Sequence, residues 1–218
     1  MKFAVAVVAV LALAGPLNAY KIPSTGSGLL AKELQDFMDL MPLNKAIEIT
    51  KAYNAQDKQF KELLQLISGP EFKAYLEDVE KVPAFMVFVN YLQKAGIDAH
   101  FIVKSVNIIF NIKSVDVLSS VQITGGIKGY LMDLGAITPV QKLQKLHLEK
   151  VKTSKVYNDF LTEISSPKYQ EILSLPATNE HFQNVLAQAE LIGVDNETLT
   201  SYYPILTIVK VILAKLAA

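Results

Sequence analysis

The chain contains no cysteine and no arginine. Without cysteine there is no disulfide, no thiolate metal site, no thiol nucleophile and no redox chemistry, so stability has to come from packing alone. Without arginine, all 21 cationic residues are lysines, set against 21 acidic ones for a formal net charge of zero. That balance lacks the basic footprint of a nucleic-acid partner. It also removes the bidentate guanidinium fork usually chosen for phosphates and carboxylates. Histidine is scarce as well. His100, His147 and His181 are the only three, and no two lie at metal-ligand spacing. His147-Leu148-Glu149 is a fragment of a site, not a site. No Gly-x-Ser-x-Gly nucleophile turn occurs. Gly125-Gly126-Ile127-Lys128-Gly129 lacks the full spacing of a phosphate cradle and reads as a flexible hinge. These absences point to a non-enzymatic protein with no metal and no cofactor.

What is present begins with a targeting segment. Lys2 provides a positive n-region, and Phe3 to Ala14 is apolar but too short to span a bilayer. Gly15 and Pro16 break the helix, and Leu17-Asn18-Ala19 offers a cleavage site before Tyr20. Residues 1–19 are therefore read as a secretory signal peptide and set aside from fold reasoning. The remaining chain is expected outside the cell, with residues 20–28 as an N-terminal tail. Asn196-Glu197-Thr198 is a sequon for N-glycosylation, which makes Asn196 a candidate acceptor.

The dominant pattern is internal self-similarity at an offset of 97 residues. Pro42 meets Pro139, Pro70 meets Pro167, Gly96 meets Gly193 and Asp98 meets Asp195. Ile67-Ser68 meets Ile164-Ser165, Phe85 meets Phe182, and Leu34, Asp36, Lys45, Lys58, Leu64 and Leu76 meet identical residues. No gap is needed from Leu34 to Asp98. The matches fall on the residues that start and stop helices, so the shared feature is punctuation more than composition. The expected organisation is repeat one over 29–112, a linker over 113–126 and repeat two over 127–218, forming one globular unit.

Each repeat reads as about six short helices, giving an all-α fold. Pro42, Pro70 and Pro83 open helices, where a missing N–H costs nothing. Gly96 is expected as a left-handed cap, Asp98 and Ser154 as N-caps. Several helices are apolar on more than one face: Phe85 to Val89, Val106 to Ile112 apart from two asparagines, and much of Tyr202 to Leu213. A surface helix needs only one apolar stripe. Packing on all sides, a subunit interface and the wall of an apolar cavity each account for the excess.

Three short runs occur twice, in the same order. They are Asp39-Leu40-Met41-Pro42-Leu43-Asn44-Lys45 with Ala136 to Lys142, Ile67-Ser68-Gly69-Pro70-Glu71-Phe72 with Ile164 to Tyr169, and Lys94 to Asp98 with Leu191 to Asp195. With Ile123-Thr124-Gly125-Gly126-Ile127, they resemble the insect allergen-related repeat family. That family takes in a cockroach allergen with tandem repeats, mosquito midgut microvillar proteins and caterpillar nitrile-specifier proteins. Lys168 departs from the family signature, reversing the charge that Glu71 carries in the first copy. The resemblance implies two helical repeats that together enclose a large hydrophobic cavity. It implies fatty acids or phospholipids as ligands, secretion into the midgut lumen and peripheral association with the microvillar membrane. On that implied fold, the residues expected to line the cavity are Phe37, Phe60, Leu64, Phe88, Ile109, Leu134, Phe160 and Leu186. Met38, Met41, Met86 and Met132 would add adaptable surface. Nitrile-specifier detoxification and a structural role in the microvillar coat are the alternatives the same resemblance brings.

Overall fold

The computed structural model describes residues 21–103 and 121–194. The signal segment, Ile109, most of the expected linker, Asn196 and the segment around Pro204 lie outside the described residues.

The described chain is helical throughout. The first stretch holds α1 (Leu29–Leu40), α2 (Leu43–Gln56), α3 (Lys58–Ile67), α4 (Pro70–Lys81) and α5 (Pro83–Ala95). The second holds α6 (Gly126–Ile137), α7 (Val140–Thr153), α8 (Lys155–Ile164), a 3-10 turn (Pro167–Tyr169), α9 (Gln170–Thr178) and α10 (Glu180–Leu191). Each element of the first stretch has a counterpart that starts 97 residues later. Among the described residues the nearest thing to a sheet is one isolated antiparallel bridge, Ser24 to Ile97. No described helix is long and apolar enough to cross a membrane.

Local chemistry explains the shared boundaries. Pro42 and Pro139 precede α2 and α7 with almost identical backbone angles, φ −78°, ψ 65° and φ −81°, ψ 65°. Pro70 and Pro83 occupy first-turn positions, and Glu71 adds a carboxylate where the helix dipole favours one. Asp57 Oδ1 accepts the Phe60 N–H at 2.7 Å, and Ser154 Oγ accepts the Tyr157 N–H at 3.1 Å, in equivalent places. Asp98 caps the helix that begins at residue 99, accepting from Phe101 N at 3.2 Å. Gly96 ends α5 at φ +104°.

The second stretch departs from the first at Pro167. Where α4 is one helix of 12 residues, its counterpart begins as a 3-10 turn and continues as the nine-residue α9. Pro176 lies inside α9 and has no N–H for the carbonyl of Ile172, so the helix ends two residues later. Lys168, reversed in charge relative to Glu71, is not left unpaired: Nζ meets Glu163 Oε1 at 2.5 Å.

The two stretches are interlocked. α1 packs on α7 and α8, and α6 packs on α2 and α3. The first helix of each stretch therefore lies against the second and third helices of the other. α4 and α10 form the most extensive helix pair. The main apolar cluster gathers Tyr53, Phe60, Leu64 and Ile67 with Tyr75, Leu76, Ile127, Tyr130, Leu131, Phe182 and Val185. A second, smaller cluster joins Leu30, Ala31 and Ile97, with Val156 and Phe160 packed against it.

Candidate functional site: two equivalent junctions

The packing of α1 and of α6 on the other stretch creates two junctions in equivalent positions. At the first, the Tyr53 hydroxyl on α2 donates to Asp133 Oδ2 on α6 at 2.6 Å. The same carboxylate accepts Thr124 N–H at 3.0 Å and the Thr124 hydroxyl at 2.6 Å. Burial pushes the Asp133 carboxyl up, but the Thr124 and Tyr53 hydrogen bonds outweigh it and hold it below the usual carboxylate range. Gly125 N–H donates to the Tyr53 oxygen at 3.1 Å. Gly126 N–H donates to Asp57 Oδ2 at 2.6 Å, and Ile127 N–H to Gln59 Oε1 at 2.7 Å. Gln59 Nε2 donates in turn to the Ile192 carbonyl at the end of α10. The Gly125-Gly126 pair, expected as a flexible hinge, is thus bonded at successive N–H groups.

Behind this polar edge sits an aromatic core. Tyr130 stands 4.6 Å from Phe60 and 5.1 Å from Tyr53, centroid to centroid, and Tyr53 5.7 Å from Phe60. The Tyr130 hydroxyl bonds Thr50 Oγ1 at 3.0 Å, and burial pushes its phenol up to about 12. Asp57 is the feature with the largest local consequence. Its two oxygens cap two helices, α3 through Phe60 and α6 through Gly126. Asp57→Ala is expected to destabilise the protein by about 2 kcal/mol, each lost cap costing roughly 1 kcal/mol. Asp57→Asn, with a single acceptor oxygen, should lose about half as much by the same reckoning. Urea unfolding followed by circular dichroism measures both.

The second junction substitutes different chemistry at the same places. Lys150 of α7 stands where Tyr53 stands on α2, and Asp36 of α1 where Asp133 stands on α6. Lys150 Nζ donates to Asp36 Oδ2 at 2.6 Å and Glu33 Oε2 at 2.5 Å. Burial pushes the Lys150 ammonium down, but the two carboxylates outweigh it and leave it above its ordinary value. His147, counterpart of Thr50, faces the Tyr157 hydroxyl at 3.0 Å through Nδ1. Phe37 of α1 stacks on Tyr157 at 5.4 Å, and burial pushes the Tyr157 phenol up to about 12.

A separate polar cluster ties α4 to α10. Glu71 Oε2 meets His181 Nδ1 at 3.0 Å and Asn184 Nδ2 at 3.1 Å, while Asn179 Nδ2 donates to Asp78 Oδ2 at 2.8 Å. Glu71 raises the His181 imidazole above 6.5, and His181 with Asn184 lowers the Glu71 carboxyl below 4.5. The raised histidine contributes fully below its unfolded value and is lost as pH rises through its folded value. The lowered carboxylate contributes fully above its unfolded value and is lost as pH falls through its folded value. Both contributions are complete between pH 4.5 and 6.5. An NMR titration should give His181 a value above 6.5 that returns toward ordinary in Glu71→Gln.

The residues expected to line a cavity fall into several settings. Phe60 and Leu64 are buried in the main cluster, and Leu134 and Leu186 pack on it half-buried. Phe160 packs on the second cluster, Phe37 on Tyr157, and Phe88 edge-on to Tyr169 at 5.2 Å. Ile109 lies outside the described residues. Met86 and Met132 keep 45% and 47% of their surface uncovered, and Val87 beside Met86 keeps 49%. α5 buries only Val89 completely despite seven apolar residues from Ala84 to Tyr91. Among the described residues no group of three or more metal-ligating side chains comes together. Sequence reading missed the Lys150, Glu33 and Asp36 triad. Its one visible trace was the identity of Asp36 and Asp133 at the 97-residue offset.

Comparison with known proteins adds two findings. Residues 29–200 match the family described as insect allergen related repeat, nitrile-specifier detoxification. Over 203 residues the chain is 27% identical to Protein G12 of Anopheles gambiae, an alignment spanning 89% of this chain and 93% of that protein.

Proposed function

Because the chain belongs to the insect allergen-related repeat family, we propose that its two stretches are tandem repeats closing a shell around an apolar space, and that this space carries lipid. The observation that carries the reading is the set of apolar side chains the described protein leaves partly uncovered, α5 among the helices that carry them. Phe85, Met86, Val87, Phe88 and Tyr91 lie on a helix with a single fully buried residue, Val89. Uncovered apolar surface of this extent calls for a cover, and an acyl chain supplies one.

The equivalence of helix boundaries at 97 residues supports the tandem arrangement, and the exchange of α1 and α6 explains why two repeats are needed. Neither repeat completes its own packing. The mechanism is physical. Burying a methylene is worth about 0.8 kcal/mol, so a chain of about fifteen gives roughly 12 kcal/mol before ordering costs. Dispersed Phe, Leu, Ile and Met contacts give affinity with little head-group selectivity, which suits fatty acids or phospholipids. The protein is read as non-enzymatic and secreted, acting in the midgut lumen or on the microvillar surface, with Asn196 as a glycosylation acceptor.

Mass spectrometry of organic extracts from the purified native protein tests the reading. Co-purifying acyl lipids, together with saturable binding of a fluorescent fatty acid to the delipidated protein, are expected. Absence of both overturns it. The family description also includes nitrile-specifier detoxification. Product analysis with myrosinase and a glucosinolate addresses that alternative: an unchanged isothiocyanate yield removes it.

A further inference from the structure

The two junctions occupy equivalent places but are not equally closed. α6 and the residue before it are held to the opposite repeat by five polar ties: Asp133 to Tyr53, Tyr130 to Thr50, Gly125 to Tyr53, Gly126 to Asp57 and Ile127 to Gln59. It also places Ile127, Tyr130 and Leu131 in the main cluster, against Tyr53 and Phe60. α1 places only Leu30 and Ala31 among fully buried residues. Its polar ties to the opposite repeat include the two from Lys150 to Glu33 and Asp36. The bonds around its start run within its own repeat: Ile22 N–H to Gln35 Oε1 at 2.8 Å and Thr25 N–H to the Gly96 carbonyl at 3.2 Å.

We infer that the protein opens along the seam between α1 and α7–α8, while the seam between α6 and α2–α3 stays shut. The ion triad suits an opening seam. The Lys150 side chain is 9% exposed, but its partners Glu33 and Asp36 are already 24% and 49% exposed. Separation therefore returns one ammonium to water beside an Asp36 carboxylate that is already half exposed, which limits the electrostatic cost. The opposite seam would have to uncover three packed aromatic rings, against the single Phe37–Tyr157 pair of the α1 seam, and leave the N-terminus of α6 uncapped. Because α1 keeps its bonds to the end of α5, it can part from α7–α8 without unfolding its own start. As an entry route for an acyl chain, the seam rests on the shell reading above, but its mechanics do not.

Hydrogen exchange of the full-length protein, read by mass spectrometry at peptide resolution, tests the seam. Amides of α1 are expected to exchange at least about tenfold faster than those of α6, since local openings follow local stability. Lys150→Met, which keeps the side-chain length and removes the charge, should accelerate α1 further and leave α6 unchanged. Glu33→Gln, a milder change, should act in the same direction. Equal or faster exchange in α6, or equal acceleration of both helices by Lys150→Met, overturns the inference. Fatty-acid binding measured on the same samples separates the two readings. Fast α1 exchange without lipid binding keeps the seam and removes the carrier function, and lipid binding with uniform exchange does the reverse.

Discussion

Phe60→Ala is expected to lower the unfolding free energy by about 3–5 kcal/mol, the range for truncating a fully enclosed aromatic ring. Phe60 is 1% exposed and lies between Tyr53 of α2 and Tyr130 of α6. It is the point where α2, α3 and α6 meet, so its loss weakens the connection between the two stretches as well as one helix. Urea unfolding by circular dichroism measures the change, and an unaltered m-value would show that the native state remains compact. The magnitude also decides what kind of wall Phe60 belongs to. A ring enclosed in solid core leaves a cavity on truncation and costs the full amount. A ring with one face on a ligand space already lacks part of those contacts, and a loss of about 1.5 kcal/mol or less would place it there. Phe37→Ala provides the comparison. Phe37 is half-buried and has Tyr157 on one face, so its loss should be smaller, about 1–2 kcal/mol.

That distinction marks where sequence reading stops. Pro42, Pro70, Pro83, Gly96 and Ser154 fixed helix boundaries because each acts on its own backbone within a turn or two. The same locality made the 97-residue offset visible. Asp57 and Asn179 act as caps by the same rule, yet went unread, although Asp57 stands at the 97-residue counterpart of Ser154 and Asn179 three residues after Pro176. The junctions were out of reach for a different reason. Tyr53 and Asp133 are 80 residues apart, and Lys150 and Asp36 are 114 apart. A chain that repeats itself gives no sign of which copy each residue meets. Nothing in the local pattern pairs α1 with α7 and α8, or α6 with α2 and α3, which is how they pack. Apolar periodicity likewise selects an inward face without saying whether side chains or an empty space lie opposite. Phe60 and Phe88 looked alike in sequence. One is sealed among aromatic rings, and the other touches Tyr169 edge-on and remains half-buried.

Gly96→Ala is expected to be about as damaging as the core truncation, although it adds one methyl group. Gly96 closes α5 at φ +104°, a conformation that residues with a side chain rarely adopt. A Cβ there would lie 2.9 Å from Gly28 Cα, Gly28 N and Leu29 N. All three are backbone atoms at the start of α1, so no rotamer change can relieve the contact. The left-handed conformation costs about 1–2 kcal/mol and the forced separation about 1–3 kcal/mol, for a loss of roughly 2–5 kcal/mol. Gly26 separates the two contributions. It also has positive φ, +56°, but nothing lies within 4 Å of a Cβ built on it. Gly26→Ala should therefore show the conformational part alone, about 1–2 kcal/mol. If both substitutions cost the same, the approach of α1 to the end of α5 is loose in solution. If Gly96→Ala costs clearly more, α1 is anchored at its start by close backbone packing. Such an anchor is what a helix needs if it is to swing away from α7 and α8 and return to one position.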